Sequence, residues 1–201
     1  MDYALTFLLG FLLGSIPSGY LVGRAKGVDI RQHGSGNIGS TNVLRTLGKG
    51  PGYLVFACDA LKGVAAVLLA NRVFPSLGDL GGITAAIGCI LGHNFTPWLG
   101  FKGGKGIATS LGVLIGLLPL ASVIALAIWI GLFLITRYVS LASIIAAAVL
   151  PVIVWLVSGV GTLFWFSLLI GILAIARHRT NIVRLINGTE SRFSREKEDA
   201  P

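Results

Sequence analysis

Apolar runs at residues 3–23, 52–74, 81–95, 107–118, 120–136, 141–158 and 162–176 leave this chain few ways to fold. Each run is continuous rather than alternating, so each reads as a helix and not as a barrel strand. Most approach the roughly 20 residues that cross a hydrocarbon core. Charged residues make up 12% of the sequence, about half of what soluble domains carry. The expectation is an all-α, polytopic membrane protein with seven transmembrane helices. Residues 1–193 form one membrane domain on this reading, and 194–201 a disordered tail. No basic residue precedes Arg24, so the first run lacks the positive leader of a secretory signal and reads as a retained helix.

Pro119 divides 107–118 from 120–136, and the positive-inside rule decides whether both cross. With seven crossings, every basic residue except Arg72 falls on one side or near its edge. With one crossing for 107–136, Arg137 and the basic tail lie opposite the 24–51 loop. Seven crossings place the N-terminus outside and the C-terminus in the cytoplasm. The cytoplasmic loops are then 24–51, 96–106, 137–140 and 177–201. Run 107–118 rises only about 18 Å, so it is expected to take turns from the glycine-rich stretch before it.

The net charge of +8 fits nucleic acid, anionic lipid or anionic substrate. Its concentration at one membrane face points to the last two and away from nucleic acid. The polar loops at that face carry phosphate-binding chemistry. In HGSGNIGSTNVLR (33–45), Gly34, Gly36 and Gly39 permit positive φ and close backbone approach. Successive N–H groups in such turns form anion nests. Ser35, Asn37, Ser40, Thr41 and Asn42 add hydrogen-bonding capacity, and Arg45 a guanidinium fork suited to phosphate. TNVLRTLG reads as a short helix with Thr41 as its N-cap, and a helix N-terminus also attracts anions. The plainer reading is a flexible interfacial loop with Arg45 among headgroups.

In GHNFTPWLGFKGGKGIATS (92–110), Lys102, Gly103, Gly104, Lys105 and Gly106 lead straight into an apolar run, a second phosphate cradle. The Walker ending G-K-[ST] is absent, which disfavours nucleotide hydrolysis. In RHRTNIVRLINGTE (177–190), helical spacing puts Arg177, Asn181 and Arg184 on one face. His178 is either a hydrogen-bond donor or base of the site, or an idle interfacial histidine. Glu190, the lone acid there, reads as a structural salt-bridge partner. Ser140 and Ser143 either complete a pocket or simply begin a helix.

Asp59 and Lys62 lie inside the second run, where each charge costs about 2.5–3.5 kcal/mol at a helix centre. Three residues apart, they can pair. They are candidates for function or for bracing the loops. Cys58 and Cys89 lie in apolar runs and read as small buried hydrophobes. No Cys/His spacing suggests a metal, and no cofactor is expected. The inventory is thus rich in phosphate ligands and poor in nucleophiles. Two glycine-rich loops at one face suit group transfer between two phosphorylated molecules by positioning and electrostatics.

GSGNIGSTNVLR, DALKG at 59–63, GHNF with FKGGKGIAT at 101–109, and RHRTNIVRLINGTE resemble the bacterial PlsY family of acyl-phosphate-dependent glycerol-3-phosphate acyltransferases. The resemblance runs over about residues 5–193 in the same order and spacing. It implies transfer of a fatty acyl group from acyl phosphate to the 1-hydroxyl of glycerol 3-phosphate at the bacterial inner membrane. Lysophosphatidic acid and phosphate would be the products. Neither coenzyme A nor acyl carrier protein would be used directly. It further implies essential roles for Ser35 and Arg45, a glycerol 3-phosphate loop at Gly103, Gly104, Lys105 and Gly106, important roles for His178 and Asn181, and a Glu190 needed for integrity. Ser40 departs from the family's expected Ala, and Pro97 stands one position late. A different class, an anion or phosphate transporter, would use the same cradles with alternating access, and Asp59 and Lys62 are its best support. A lipid-binding scaffold is a third.

Overall fold

The structure is a computed structural model that describes residues 1–193; the tail expected at 194–201 lies outside the described residues. The chain divides into two compact units, Met1–Pro119 and Leu120–Pro201. The described residues are helical, with no strand among them.

The first unit holds α1 (Asp2–Ser15), α2 (Ser18–Ala25), α3 (Ser40–Leu47), α4 (Lys49–Val73), α5 (Gly78–Asn94) and α6 (Ile107–Leu117). Two of its helix pairs close on glycine. A Cβ at Gly10 or Gly14 of α1 would run into the backbone of Ala85 or Cys89, and one at Gly88 or Gly92 of α5 into that of Phe7 or Phe11. The four glycines therefore let α1 and α5 meet main chain to main chain, as small residues at four-residue spacing do in membranes. Gly63 of α4 and Gly112 of α6 do the same against Thr109 and Ala60. Gly116 faces Val67, so contacts advance along both helices together and α4 and α6 run parallel.

Pro17 interrupts the first apolar run. It cannot donate a backbone hydrogen bond, and the carbonyls of Ser15 and Ile16 at the end of α1 take partners from elsewhere. Thr96 Oγ1 donates to Ser15 O at 2.6 Å and Lys62 Nζ to Ile16 O at 2.9 Å.

The second unit opens with α7 (Pro119–Thr136), followed by α8 (Val139–Ser158), α9 (Thr162–Arg177) and α10 (Arg179–Ile186). Trp129 Nε1 donates to Ser143 Oγ at 3.0 Å, and that hydroxyl donates to Val139 O at 2.8 Å. Ser143 thus ties α7 to α8. Phe193 donates its N–H to Arg137 O at 3.0 Å and stands edge-on to Phe133, holding the end of the described chain against this hairpin.

Five segments are long and apolar enough to cross a membrane: Asp2–Ala25, Lys49–Val73, Pro75–Leu99, Pro119–Thr136 and Val139–Ser158. Thr162–Arg177 passes the same test together with Arg179–Ile186, from which it is bent by 58°, so the total is up to six when this pair counts as one span. The fourth expected span, α6, has only 11 residues, about 17 Å at 1.5 Å per residue. It takes no turns from the glycine-rich stretch, because residues 102–106 are not helical. Two further expectations change. Thr41 is not an N-cap, since α3 starts at Ser40 with Gly39 as its cap. Arg177 does not share a helix with Asn181 and Arg184, because the chain turns at His178.

Candidate functional site

The 24–51 stretch is not a slack loop. Ile30, Ile38, Val43 and Val55 are buried together, with Tyr20, Val22, Leu47 and Leu99 packed against them. This small core sits beneath residues 33–39, and one side chain at its edge, Asn42, fixes their path. Asn42 Oδ1 accepts from Ser35 N at 2.9 Å, and Nδ2 donates to the carbonyls of Ile30, His33 and Asn37 at 3.2, 3.0 and 2.8 Å. Only glycine fits at 34, where φ is 58° and a Cβ would strike Asn42 Oδ1. Gly36 turns the chain again with φ of 69°, and Asn37 Oδ1 accepts from Gly39 N at 2.8 Å. Asn42 was expected to face substrate; it is buried and engaged with the loop's own backbone. Ser35 is exposed at the crest, Thr41 is half-buried, and Arg45 is exposed near the end of α3. Alongside, Arg31 forms paired hydrogen bonds to Asp29, and these hold the Asp29 carboxyl down at about 2.

The second loop is fastened to the end of α5. Gly103 N donates to Asn94 O at 3.2 Å and Gly104 N to His93 O at 3.1 Å. These two amides, expected to cradle phosphate, instead satisfy terminal carbonyls of a helix. A Cβ at Gly103 would meet the His93 and Asn94 carbonyls, and one at Gly104 the His93 ring. Gly106, with φ of 81°, is the N-cap of α6. Lys102 is exposed and Lys105 half-buried. Beside the start of α6, the Asn94 side-chain amide and the Thr109 hydroxyl are buried without a hydrogen-bond partner. Contacts of Gly63 with Thr109 and of Gly112 with Ala60 put this start level with the middle of α4.

Asp59 and Lys62 do pair, with Nζ 2.7 Å from Oδ1. It is an ion pair by proximity; the aligned hydrogen bonds of the ammonium go to Ile16 O and to His93 Nδ1, 3.0 Å away. Lys62 lies near the midpoint of α4. Sequence reasoning missed His93. The signal was available, since a charged pair inside an apolar run needs polar partners and His93 ends the next apolar run.

In the second unit the organising element is a carboxylate. Ser140 Oγ and Asn181 Nδ2 both donate to Glu190 Oε1 at 2.7 Å, and Arg184 Nε donates to Oε2 at 2.7 Å. Gly188, with φ of 68°, reverses the chain, and the Thr189 and Glu190 amides both donate to Arg184 O. Burial favours the neutral acid, but the hydrogen bonds from Ser140, Arg184 and Asn181 outweigh it and hold the Glu190 carboxyl below its ordinary range. Ser140, Asn181 and Glu190 are thus brought together, and Ser143 stands apart from them in its bond to Trp129. His178, also buried, has Nδ1 2.8 Å from Ala174 O. A carbonyl only accepts, so Nδ1 carries the proton and a neutral ring keeps its lone pair on Nε2.

The family model described as glycerol-3-phosphate acyltransferase matches residues 4–188. The glycerol-3-phosphate acyltransferase of Geobacter sulfurreducens is 50% identical over 187 residues, 92% of this chain and 94% of that one. That of Desulforudis audaxviator is 51% identical over 192 residues, 92% and 93% of the two chains. Among solved structures, the glycerol 3-phosphate form of PlsY (YgiH), an integral membrane glycerol 3-phosphate acyltransferase, superposes with a TM-score of 0.91 at 40% identity, covering 98% of both chains. The lysophosphatidic acid form of PlsY gives a TM-score of 0.88 at 40% identity, covering 96% of both.

Proposed function

Because this chain belongs to the glycerol-3-phosphate acyltransferase family, we propose that it moves a fatty acyl group from acyl phosphate to the 1-hydroxyl of glycerol 3-phosphate. The observation that carries this reading is the likeness to relatives solved in a glycerol 3-phosphate form and a lysophosphatidic acid form, which are acceptor and product of such a transfer. The protein is a multi-pass enzyme of the bacterial inner membrane. On this reading α6 is the fourth of seven spans, residues 1–193 are one catalytic domain, the N-terminus is outside, and the polar loops face the cytoplasm. The parallel course of α4 and α6 supports that count, since spans two apart share a direction.

Acyl phosphate is a mixed anhydride, already activated. The acceptor hydroxyl oxygen bonds to the carbonyl carbon, the carbonyl carbon–phosphate oxygen bond breaks, and the hydroxyl proton leaves with phosphate. No covalent enzyme intermediate and no coenzyme A or acyl carrier protein take part. Ser35, at the crest of a loop shaped by Asn42, and Arg45 steady the leaving phosphate. Lys105 and the start of α6 at Gly106 hold the acceptor phosphate. Gly103 and Gly104 serve by shaping that loop, and Lys102 adds charge at its mouth. In the second unit, Asn181, positioned by Glu190, and His178 serve the transfer as hydrogen-bonding groups. A departing phosphate oxygen takes the proton, with His178 Nε2 the protein's own acceptor. The transporter reading loses its best support, because Asp59 and Lys62 are paired to each other and to His93.

Purified protein given acyl phosphate and glycerol 3-phosphate is expected to release lysophosphatidic acid and phosphate in equal amounts, and none with acyl-coenzyme A or acyl carrier protein. Phosphate flux across proteoliposomes without acyl transfer would overturn the reading. His178→Gln is expected to retain slow turnover with an altered pH–rate profile. Complete loss at every pH under saturating substrate would make His178 the base.

A further inference from the structure

Asp59, Lys62 and His93 have no part in the reaction above, yet they are the most deeply buried cluster of ionisable groups in the first unit. Their side chains are at most 7% exposed. An ammonium has three donors and no acceptor. Lys62 Nζ donates to Ile16 O at 2.9 Å and lies 3.0 Å from His93 Nδ1, with the Asp59 carboxylate 2.7 Å away as its ion-pair partner. Nδ1 is therefore the acceptor, and the neutral ring carries its proton on Nε2. That Nε2 edge lies against Gly104, so closely that a Cβ there would overlap it. The same residue accepts Gly104 N–H through its carbonyl at 3.1 Å. The glycine loop is thus seated on His93 by both ring and main chain, and the ring is oriented by a charge pair from α4.

We propose that His93, oriented by Lys62 and Asp59, is a positioning residue for the 102–106 loop and sets the affinity for glycerol 3-phosphate. The proposal rests on reading that loop as the acceptor-phosphate site. A ring free to rotate would let the loop settle towards α5, moving Lys105 and the start of α6 away from the phosphate. Donor binding is expected to change far less, because Asn42 fixes the path of residues 33–39 through its own hydrogen bonds.

The test pairs steady-state kinetics in both substrates with binding of glycerol 3-phosphate alone to purified protein. His93→Phe keeps bulk and removes the acceptor for Lys62. It is expected to raise KM and Kd for glycerol 3-phosphate about tenfold, with kcat within about threefold and the acyl phosphate KM within about twofold. His93→Asn, whose Oδ1 can accept from Lys62, is expected to recover most of that loss. Gly104→Ala, which displaces the ring, is expected to resemble His93→Phe. The double variant should be no worse than the weaker-binding single, the signature of one shared effect. If His93→Phe does not fold, Lys62→Met is read in its place with the same expected rise.

An unchanged glycerol 3-phosphate Kd in the folded variant would overturn the proposal. So would equal rises in both KM values, a fall in kcat alone, or multiplying effects in the double variant. Failure of the functional reading looks different: the unmodified protein then binds no glycerol 3-phosphate or transfers no acyl group from acyl phosphate.

Discussion

Each unit gathers its polar chain around one buried side chain, and the two hubs differ in kind. Asn42 in the first unit is a neutral amide that donates to three carbonyls and accepts from one amide. Glu190 in the second is a charged acceptor that receives from Ser140, Asn181 and Arg184. An amide can mimic the backbone on both sides of a hydrogen bond, so it suits a loop whose carbonyls and amides both need partners. A carboxylate only accepts, so it suits a place where side-chain donors from separate helices must be joined. The chemistry of each hub also decides what can undo it. No accessible pH alters the amide, whereas the carboxylate is lost to acid.

Asn42→Asp puts this difference to its hardest test. It keeps the acceptor for Ser35 N but removes every donor and sets a charge against three carbonyls. Orphaned buried groups cost about 1–3 kcal/mol each, and small misplacement of reacting groups costs about a hundredfold. The expected outcome is a fall of kcat/KM by about a hundredfold or more, with helical circular dichroism retained. Glu190→Ala should come next. It strands the donors of Ser140, Asn181 and Arg184 and is expected to cost about 3 kcal/mol, read as a Tm lowered by about 6–12 °C.

Acid separates the hubs without mutation. Since the Glu190 carboxyl titrates below its ordinary value, its contribution is complete above roughly pH 4.3 and lost as pH falls through the depressed folded value. A Tm–pH curve should steepen downward there, and Glu190→Gln should flatten that limb. The smallest expected effect is at Ser143. Its hydroxyl serves Trp129 and Val139, so Ser143→Ala should lower stability by about 1 kcal/mol and leave kcat/KM within about twofold. A hundredfold loss there would restore Ser143 to the substrate site.

Most of the helices were legible because a run of apolar residues announces a span by itself. The breaks inside them were less so. Pro17 sits within the run 3–23, and the turn at His178 has no proline or glycine to mark it, so Arg177 was grouped with Asn181. The start of α4 at Lys49 and of α5 at Gly78 lies outside the apolar signal, in polar or small residues that tertiary packing holds helical. The loops were legible as chemistry but not as architecture. Glycine, asparagine and serine announce a shaped turn, but not that Asn42 faces inward while Ser35 faces out. The Glu190 salt bridge was readable from charge scarcity alone; that Ser140 joins it from fifty residues away was not. His93 escaped for the same reason, since its partners lie 31 and 34 positions earlier on another helix.

The brevity of α6 has a consequence for where chemistry can happen. Its eleven residues begin beside the middle of α4, so the polar turn before it stands level with the middle of an apolar helix long enough to cross a membrane. On the proposed reading, that level is where a water-borne acceptor meets a donor carrying a fatty chain. Neither partner has to abandon its own phase for the two to react.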